Sequence, residues 1–204
     1  MNLALTGTDG DSAVADLAED LAMLRVAAGK RVLLVSPNPG AYDARLYDDL
    51  VIDASYLSAA HVAANAKADA ALARAGVILA LLRPEALERD GCAALLSRLQ
   101  MAQRANPAAR VLVAVAHGRK PLTPHQAGCV LVFTAQLPHA RLADTLVLDD
   151  AADTYHSRHS ELELSAYKED RKLCAPEVRH LYREIFRNRS EEVYMGALFP
   201  RQAI

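Results

Sequence analysis

Short runs of aliphatic residues alternate along this chain with longer amphipathic stretches, and that alternation restricts the fold more than any other feature. Apolar runs without polar alternation are typical of strands that are covered on both faces. Parallel strands of this kind need crossover connections of about a dozen residues or more, which are usually helices. We therefore predict an α/β fold, a mostly parallel, doubly wound sheet with helices on both faces. The predicted strands are residues 2–6, 31–36, 50–54, 76–82, 110–116 and 130–133.

The intervening helices are predicted from apolar residues at helical spacing. Residues 12–28, 57–74, 85–105 and 175–189 have this pattern. From about residue 150 the chain is more polar until the last helix, which carries one apolar stripe. We expect that stripe to pack back on the sheet, so that residues 1–204 form a single domain. The stripe consists of Val178, Leu181, Tyr182, Ile185 and Phe186.

Charge and composition exclude several classes of protein. The 23 basic and 25 acidic residues give a formal net charge of −2, so bulk charge favours neither nucleic acid nor a membrane surface. The longest apolar run, residues 76–82, is far shorter than the ~20 residues of a membrane-spanning helix, and no signal peptide is visible. Cys92, Cys129 and Cys174 are odd in number and far apart, so neither a disulfide framework nor a zinc cluster is predicted. These features predict a soluble, cytoplasmic protein.

Three predicted loops converge on one edge of the sheet. Ligands of parallel sheets bind beyond the carboxyl ends of the strands, and residues 6–13, 36–40 and 53–56 follow the first three strands there. The segment AGKRVLLV followed by SPNPG, then YDDLVIDAS, then ADAALARAGVILALLRPEAL, has the order and spacing of the ParA/MinD family. Over about residues 1–149 the chain resembles these deviant P-loop ATPases, which act in DNA partition and in positioning cellular machines. The resemblance implies a P-loop NTPase-like fold, ATP and Mg²⁺ as cofactors, and Asp53 at the acidic position of the Walker B strand.

The loop after the first strand departs from that family where the phosphates would bind. A P-loop directs backbone N–H groups and a lysine at the phosphate oxygens, but residues 1–24 contain no lysine or arginine. Aligned on Gly7 and Gly10, the lysine position holds Asp11, followed by Ser12; aligned without gaps from the next strand, it holds Val14. A carboxylate ~4 Å from a phosphate charge costs about 1 kcal/mol in water and about 4 kcal/mol near a protein surface. Neither alignment supplies a cation.

The second loop departs in the same direction. Ser36 and Asn38 occupy both acidic positions of the family motif. The number of residues between Ser36 and Asp53 is small for the family. We therefore predict a degenerate nucleotide loop and no cofactor, with an active enzyme that uses ATP and Mg²⁺ as the alternative. The tetrapeptide TGTD at 6–9 also resembles the opening of dethiobiotin synthetase, but the lysine and threonine that should follow are absent. We therefore expect a simple strand-to-helix turn in which Thr6 or Thr8 makes local hydrogen bonds.

A basic cluster near the C-terminus allows two interpretations. Arg171, Lys172, Arg179, Arg183 and Arg187 could bind DNA or a partner, or could form a solvated helix face paired with interleaved glutamates. The group Asp153, His156 and His159 is expected to be a solvated loop rather than a metal site, and residues 191–204 to bind a partner or to pack on the domain. We predict a pseudo-ATPase that acts through a protein partner, either a homo-oligomer or an intact ParA-like relative. A non-enzymatic DNA-binding module remains an alternative.

Overall fold

Six parallel strands form the centre of the molecule. The computed structural model describes residues 1–8, 12–35, 43–55, 61–87, 92–117, 121–148 and 175–186. The strands form one sheet in the order β2-β3-β1-β4-β5-β6, and every neighbouring pair is parallel. The predicted α/β class, a doubly wound parallel sheet, is therefore confirmed.

Helices alternate with these strands through the described chain. In order, the elements are β1 (Asn2–Gly7), α1 (Ser12–Ala27), β2 (Val32–Val35), a 3₁₀ turn (Ala44–Leu46), β3 (Asp49–Asp53), α2 (Val62–Arg74), β4 (Val77–Leu82), α3 (Pro84–Leu87), α4 (Ala93–Ala105), β5 (Arg110–His117), α5 (Pro124–Ala135), β6 (Arg141–Leu148) and α6 (Pro176–Ile185).

Each face of the sheet is covered by its own apolar layer. Alternation along β1 sends Leu3 and Leu5 to the face covered by α1 and α6, and Ala4 to the face covered by α2, α4 and α5. The stripe of α6 is buried in the first layer, as its sequence predicts. The first is called the α1/α6 face and the second the α2/α4 face.

Two elements differ from the sequence prediction. Residues 130–133 do not form the sixth strand but lie in α5, where Val130 and Phe133 are buried at helical spacing. Thr123 begins this helix with a capping box, since its hydroxyl accepts from the Gln126 backbone N–H and the Gln126 side chain accepts from the Thr123 N–H. The sixth strand is β6. The helix predicted at 85–105 is two helices, α3 and α4.

A buried ion pair joins three elements at the amino edge of the sheet. Arg25, in the last turn of α1, binds Asp49 at the start of β3 through Nη2 (2.6 Å) and Nε (2.9 Å), and both residues are about 95% buried. The same guanidinium lies 3.3 Å from the Tyr182 hydroxyl and 4.4 Å from the Phe186 ring centre. The pair therefore holds α6 against α1 and β3.

Candidate functional site

The sheet topology selects the carboxyl end of β1 as the place for a ligand. The chain leaves β1 for α1 on one face, whereas it leaves the flanking strands β3 and β4 for α2 and α3. The buried side chains of α1 and α2 pack in different layers, so these connections part on opposite faces. Such switch points open a crevice beyond the strand ends. The crevice lies at Thr6, Gly7 and Thr8.

Asp53 ends the neighbouring strand at this crevice. It pairs in register with Leu5, which places its side chain on the α1/α6 face, and only 8% of the residue is exposed. Its Oδ1 accepts the backbone N–H of Ser55 at 2.9 Å. The Ser55 hydroxyl is buried beside it and has no hydrogen-bond partner within the described chain. Asp53 therefore lies at the carboxyl end of β3, next to the end of β1.

Arg98 also lies at this edge, and it is not among the site residues that the sequence predicts. From α4, its Nε donates to Asp69 on α2 (2.7 Å), Nη1 to the Thr6 hydroxyl (3.3 Å), and Nη2 to the carbonyl oxygen of Ala54 (3.2 Å). Its side chain is 10% exposed. The bond to Thr6 spans 92 residues. The local hydrogen bonds expected of Thr6 or Thr8 fall on the turn at 9–11, which lies outside the described residues. One guanidinium thus connects α4, α2 and the ends of β1 and β3.

The sequence does contain a signal for Arg98. It falls within the apolar stripe of α4, three residues after Leu95 and directly before Leu99, both of which are buried. An arginine within such a stripe must find partners for its charge, because an unpaired buried charge is costly. The signal gives no partner, however, since Thr6 and Ala54 come from distant strands.

Neither Arg25 nor Arg98 lies where a P-loop lysine would. Arg25 follows Ser12 by thirteen residues along α1, which is about 20 Å of helix, and it is bound to Asp49 at the opposite edge of the sheet. Arg98 reaches Thr6 and Ala54 on the α2/α4 face, whereas α1 covers the other face. Both guanidinium groups are engaged in ion pairs with carboxylates.

Several predicted site residues lie outside the described chain. Among the loop residues, Gly7 ends β1 and Ser12 begins α1, whereas the structure does not describe Gly10, Asp11, Ser36 and Asn38. The same holds for the histidine group at 153–159. Among the described residues, no three His, Cys, Asp or Glu side chains form a group that could hold a metal ion, and no helix is long and apolar enough to cross a membrane.

Only part of the basic cluster is described. Arg179 is half-buried and Arg183 is exposed on α6, while Arg171, Lys172 and Arg187 lie outside the described residues. Glu184 is one of the interleaved glutamates expected to pair with these arginines. Its Oε1 instead accepts a hydrogen bond from the Thr145 hydroxyl (3.0 Å) on β6, and its Oε2 accepts one from the Asp144 backbone N–H (3.2 Å). This glutamate is thus held by the sheet.

The chain matches no protein-family model, no curated protein and no solved structure.

Proposed function

We propose that this protein is a degenerate relative of the ParA/MinD ATPases that acts through protein contacts, in DNA partition or in positioning a cellular machine, without a nucleotide cycle. The observation that carries the proposal is the charge around the end of β1. The buried carboxylate of Asp53 lies on its α1 side, and residues 1–24 supply no lysine or arginine.

The neighbouring loops support the same conclusion. Residues 36–42 and 53–60, which follow β2 and β3, also contain no lysine or arginine. A triphosphate bound on the α1 side of β1 would therefore meet Asp53 without a compensating lysine or arginine from the segments that directly follow β1, β2 and β3. Arg98 does not compensate, because its donors point to the α2/α4 face and its charge is paired with Asp69. The residues present do not fit ATP in the manner of a P-loop.

The lack of basic residues in the loop after β1 also affects how two subunits could associate. The resemblance implies that intact family members clamp two subunits face to face around ATP. Two copies of this chain would instead bring together acidic loops, since Asp9 and Asp11 carry no counterion within the loop sequence. We therefore infer a nucleotide-independent interface, either between copies of this chain or with an intact ParA-like relative.

Calorimetric titration with Mg-ATP tests the proposal directly. We expect no saturable heat and no change in sedimentation coefficient when Mg-ATP is added. Micromolar binding that is abolished by Asp53→Ala, but retained in the exposed control Asp144→Ala, would replace this proposal with an active ATP-dependent switch.

A second candidate function is non-specific DNA binding through α6. It is favoured by the engagement of Glu184 with β6, which leaves Arg183 exposed on the helix surface. Phosphate contacts weaken steeply with salt. A gel shift that weakens with salt and is reduced by Arg183→Glu, but not by Arg45→Glu on the 3₁₀ turn, supports DNA binding. An absence of binding at low salt excludes it.

A further inference from the structure

A pocket opens at the amino edge of the sheet, at the end of the strands opposite the β1 crevice. It lies where β5 and β6 begin and where α6 ends. The residues that matter in its lining are Arg110, Leu112, His139, Arg141, Asp144 and Glu184.

Two arginines share one face of this pocket. Arg141 pairs in register with Leu112, and Arg110 lies two residues earlier on the same strand and the same face. With strands ~4.8 Å apart and ~6.6 Å of rise over two residues, the Cα atoms of the two arginines are about 8 Å apart. Their side chains therefore reach the same space above Leu112.

The donors of the two arginines are not equally engaged. Arg110 Nη2 donates to the carbonyl oxygen of Ile185 at 2.5 Å, which fixes its guanidinium against the end of α6. The Arg141 side chain makes no hydrogen bond or ion pair with any residue in the described ranges, and the neighbouring Arg110 carries a like charge. An arginine fork with all its donors open suits a planar carboxylate, which it binds through two parallel hydrogen bonds.

The acidic residues of the pocket limit the charge of the ligand. Both oxygens of Glu184 accept hydrogen bonds from β6, so this carboxylate is turned to the strand, and Asp144 is exposed at the pocket rim. The two arginines and two acids sum to no net charge, so a dianion gains no net Coulombic attraction. A monoanion can still gain the directional hydrogen bonds of Arg141. The apolar surface of Leu112 favours a hydrocarbon body on that anion.

The turn that enters β6 is held in an unusual conformation at this pocket. His139 has φ 57°, and it is the one non-glycine residue in the left-handed region among those the structure describes. Such a conformation is strained for a residue other than glycine and persists where surrounding contacts fix it. Here the Gln103 amide donates to the carbonyl oxygen of Pro138 at 2.5 Å, and the Ala140 N–H to that of Leu137 at 3.2 Å. The turn thus places an imidazole in the pocket wall beside Arg141.

We propose that this pocket binds the carboxylate of a small monoanionic organic acid, with Arg141 as the fork that receives it and Leu112 as the floor for its hydrocarbon chain. The site is independent of the β1 crevice and of the proposed function.

Backbone-amide NMR titration of the full chain with butyrate tests the site. We expect saturable shifts at the amides of Leu112 and Leu142, with a dissociation constant on the order of 10 mM. Arg141→Gln should weaken binding at least about tenfold, and Arg141→Lys should weaken it several-fold because the charge stays but the fork is lost. Arg104→Gln, an exposed arginine at the end of α4, should change nothing.

Three results would overturn the proposal. One is the lack of saturable shifts at the pocket in the wild-type chain, which needs no variant to fold. Another is equal affinity in Arg141→Gln and Arg104→Gln, which would indicate a general salt effect. The third is tighter binding of phosphate than of butyrate at matched ionic strength, which would contradict the assignment of a monoanionic carboxylate.

Discussion

Replacing Arg25 by methionine tests the electrostatic design of the amino edge. The change keeps an apolar stem but removes two hydrogen bonds to Asp49, the contact with the Tyr182 hydroxyl and the stacking on Phe186. Asp49, 4% exposed, then remains buried without its guanidinium. Breaking one partner of a buried ion pair costs about 3–5 kcal/mol of unfolding free energy when the other charge stays uncompensated. Here Asp49 keeps its 2.6 Å ion pair with the partly exposed Met1 amino group, which favours the lower end of that range. We expect a loss in that range.

Urea denaturation followed by circular dichroism measures the loss. With an m-value of about 2 kcal/mol/M, the midpoint should fall by roughly 1.5–2.5 M. The same edge provides a matched control, since Arg31 binds Asp48 at 3.1 Å but its side chain is 67% exposed. Arg31→Met should lower the midpoint by roughly 0.5 M or less, because exposed ion pairs contribute little to stability.

The double variant Arg25→Met, Asp49→Leu separates a buried-charge penalty from lost packing. It removes the buried carboxylate that Arg25→Met leaves with only the Met1 amino group as its ion-pair partner, so it should recover part of the stability that Arg25→Met alone loses. If Arg25→Met shifts the midpoint no more than Arg31→Met does, the ion pair does not hold α6 and β3 together. If the double variant is less stable than the single one, the remaining Asp49 carboxylate is not the source of the loss.

Three further predictions follow from single contacts. Hydrogen bonds from the Arg31 guanidinium and backbone N–H lower the pKa of Asp48 from 3.8 to about 2. The pair therefore stabilises the fold above about pH 4, and this contribution is lost as the pH falls through about 2. Carboxyl NMR should show a titration midpoint near 2, and a midpoint near 3.8 in the wild type would contradict this prediction. Burial raises the pKa of the Cys92 thiol to about 11, so iodoacetamide at pH 8 should alkylate the half-buried Cys129 before Cys92, which should react only in urea. Equal rates for these two cysteines by peptide mass spectrometry would refute this. Arg98→Met should cost about 2 kcal/mol in urea denaturation and speed hydrogen exchange at the end of β3, whereas a loss below about 0.5 kcal/mol would mean that its three bonds do not join these elements.

The central strands could be predicted because burial on both faces leaves an unbroken aliphatic run. The run at residues 130–133 shows the limit of that rule, since an apolar segment of this length suits a strand or a buried helix equally. The capping box of Thr123 and Gln126 decides for the helix, and it is readable in the sequence as T-P-H-Q. Strand β6 cannot be recognised from an apolar run, because polar residues interrupt its pattern. It lies at the edge of the sheet and has a register shift opposite Val113 and Val115.

One residue of the candidate site could be predicted from the sequence and another could not. Asp53 could be predicted because its own strand and its neighbours in sequence mark it as the last residue before a loop. Arg98 could not be assigned to the edge, because its position depends on α4 packing over two strands whose ends are 44 and 92 residues away along the chain. Helical spacing reports that the side chain is near the core but not which strand ends it meets.

The two buried arginines, Arg25 and Arg98, are not placed to bind a phosphate at the β1 crevice. Arg25 is fixed to Asp49 at the amino edge, and Arg98 is fixed to Asp69 on the face opposite α1. Residues 8–11, 36–42 and 53–60, which follow β1, β2 and β3, contain no lysine or arginine. A cation for a phosphate at this crevice would therefore have to come from beyond these three loops, either from elsewhere in the chain or from a second subunit. If Mg-ATP binds only when an intact ParA-like relative is present, the missing cation comes from that relative; if it binds to this chain alone, the cation comes from within the chain and the degenerate-loop proposal fails.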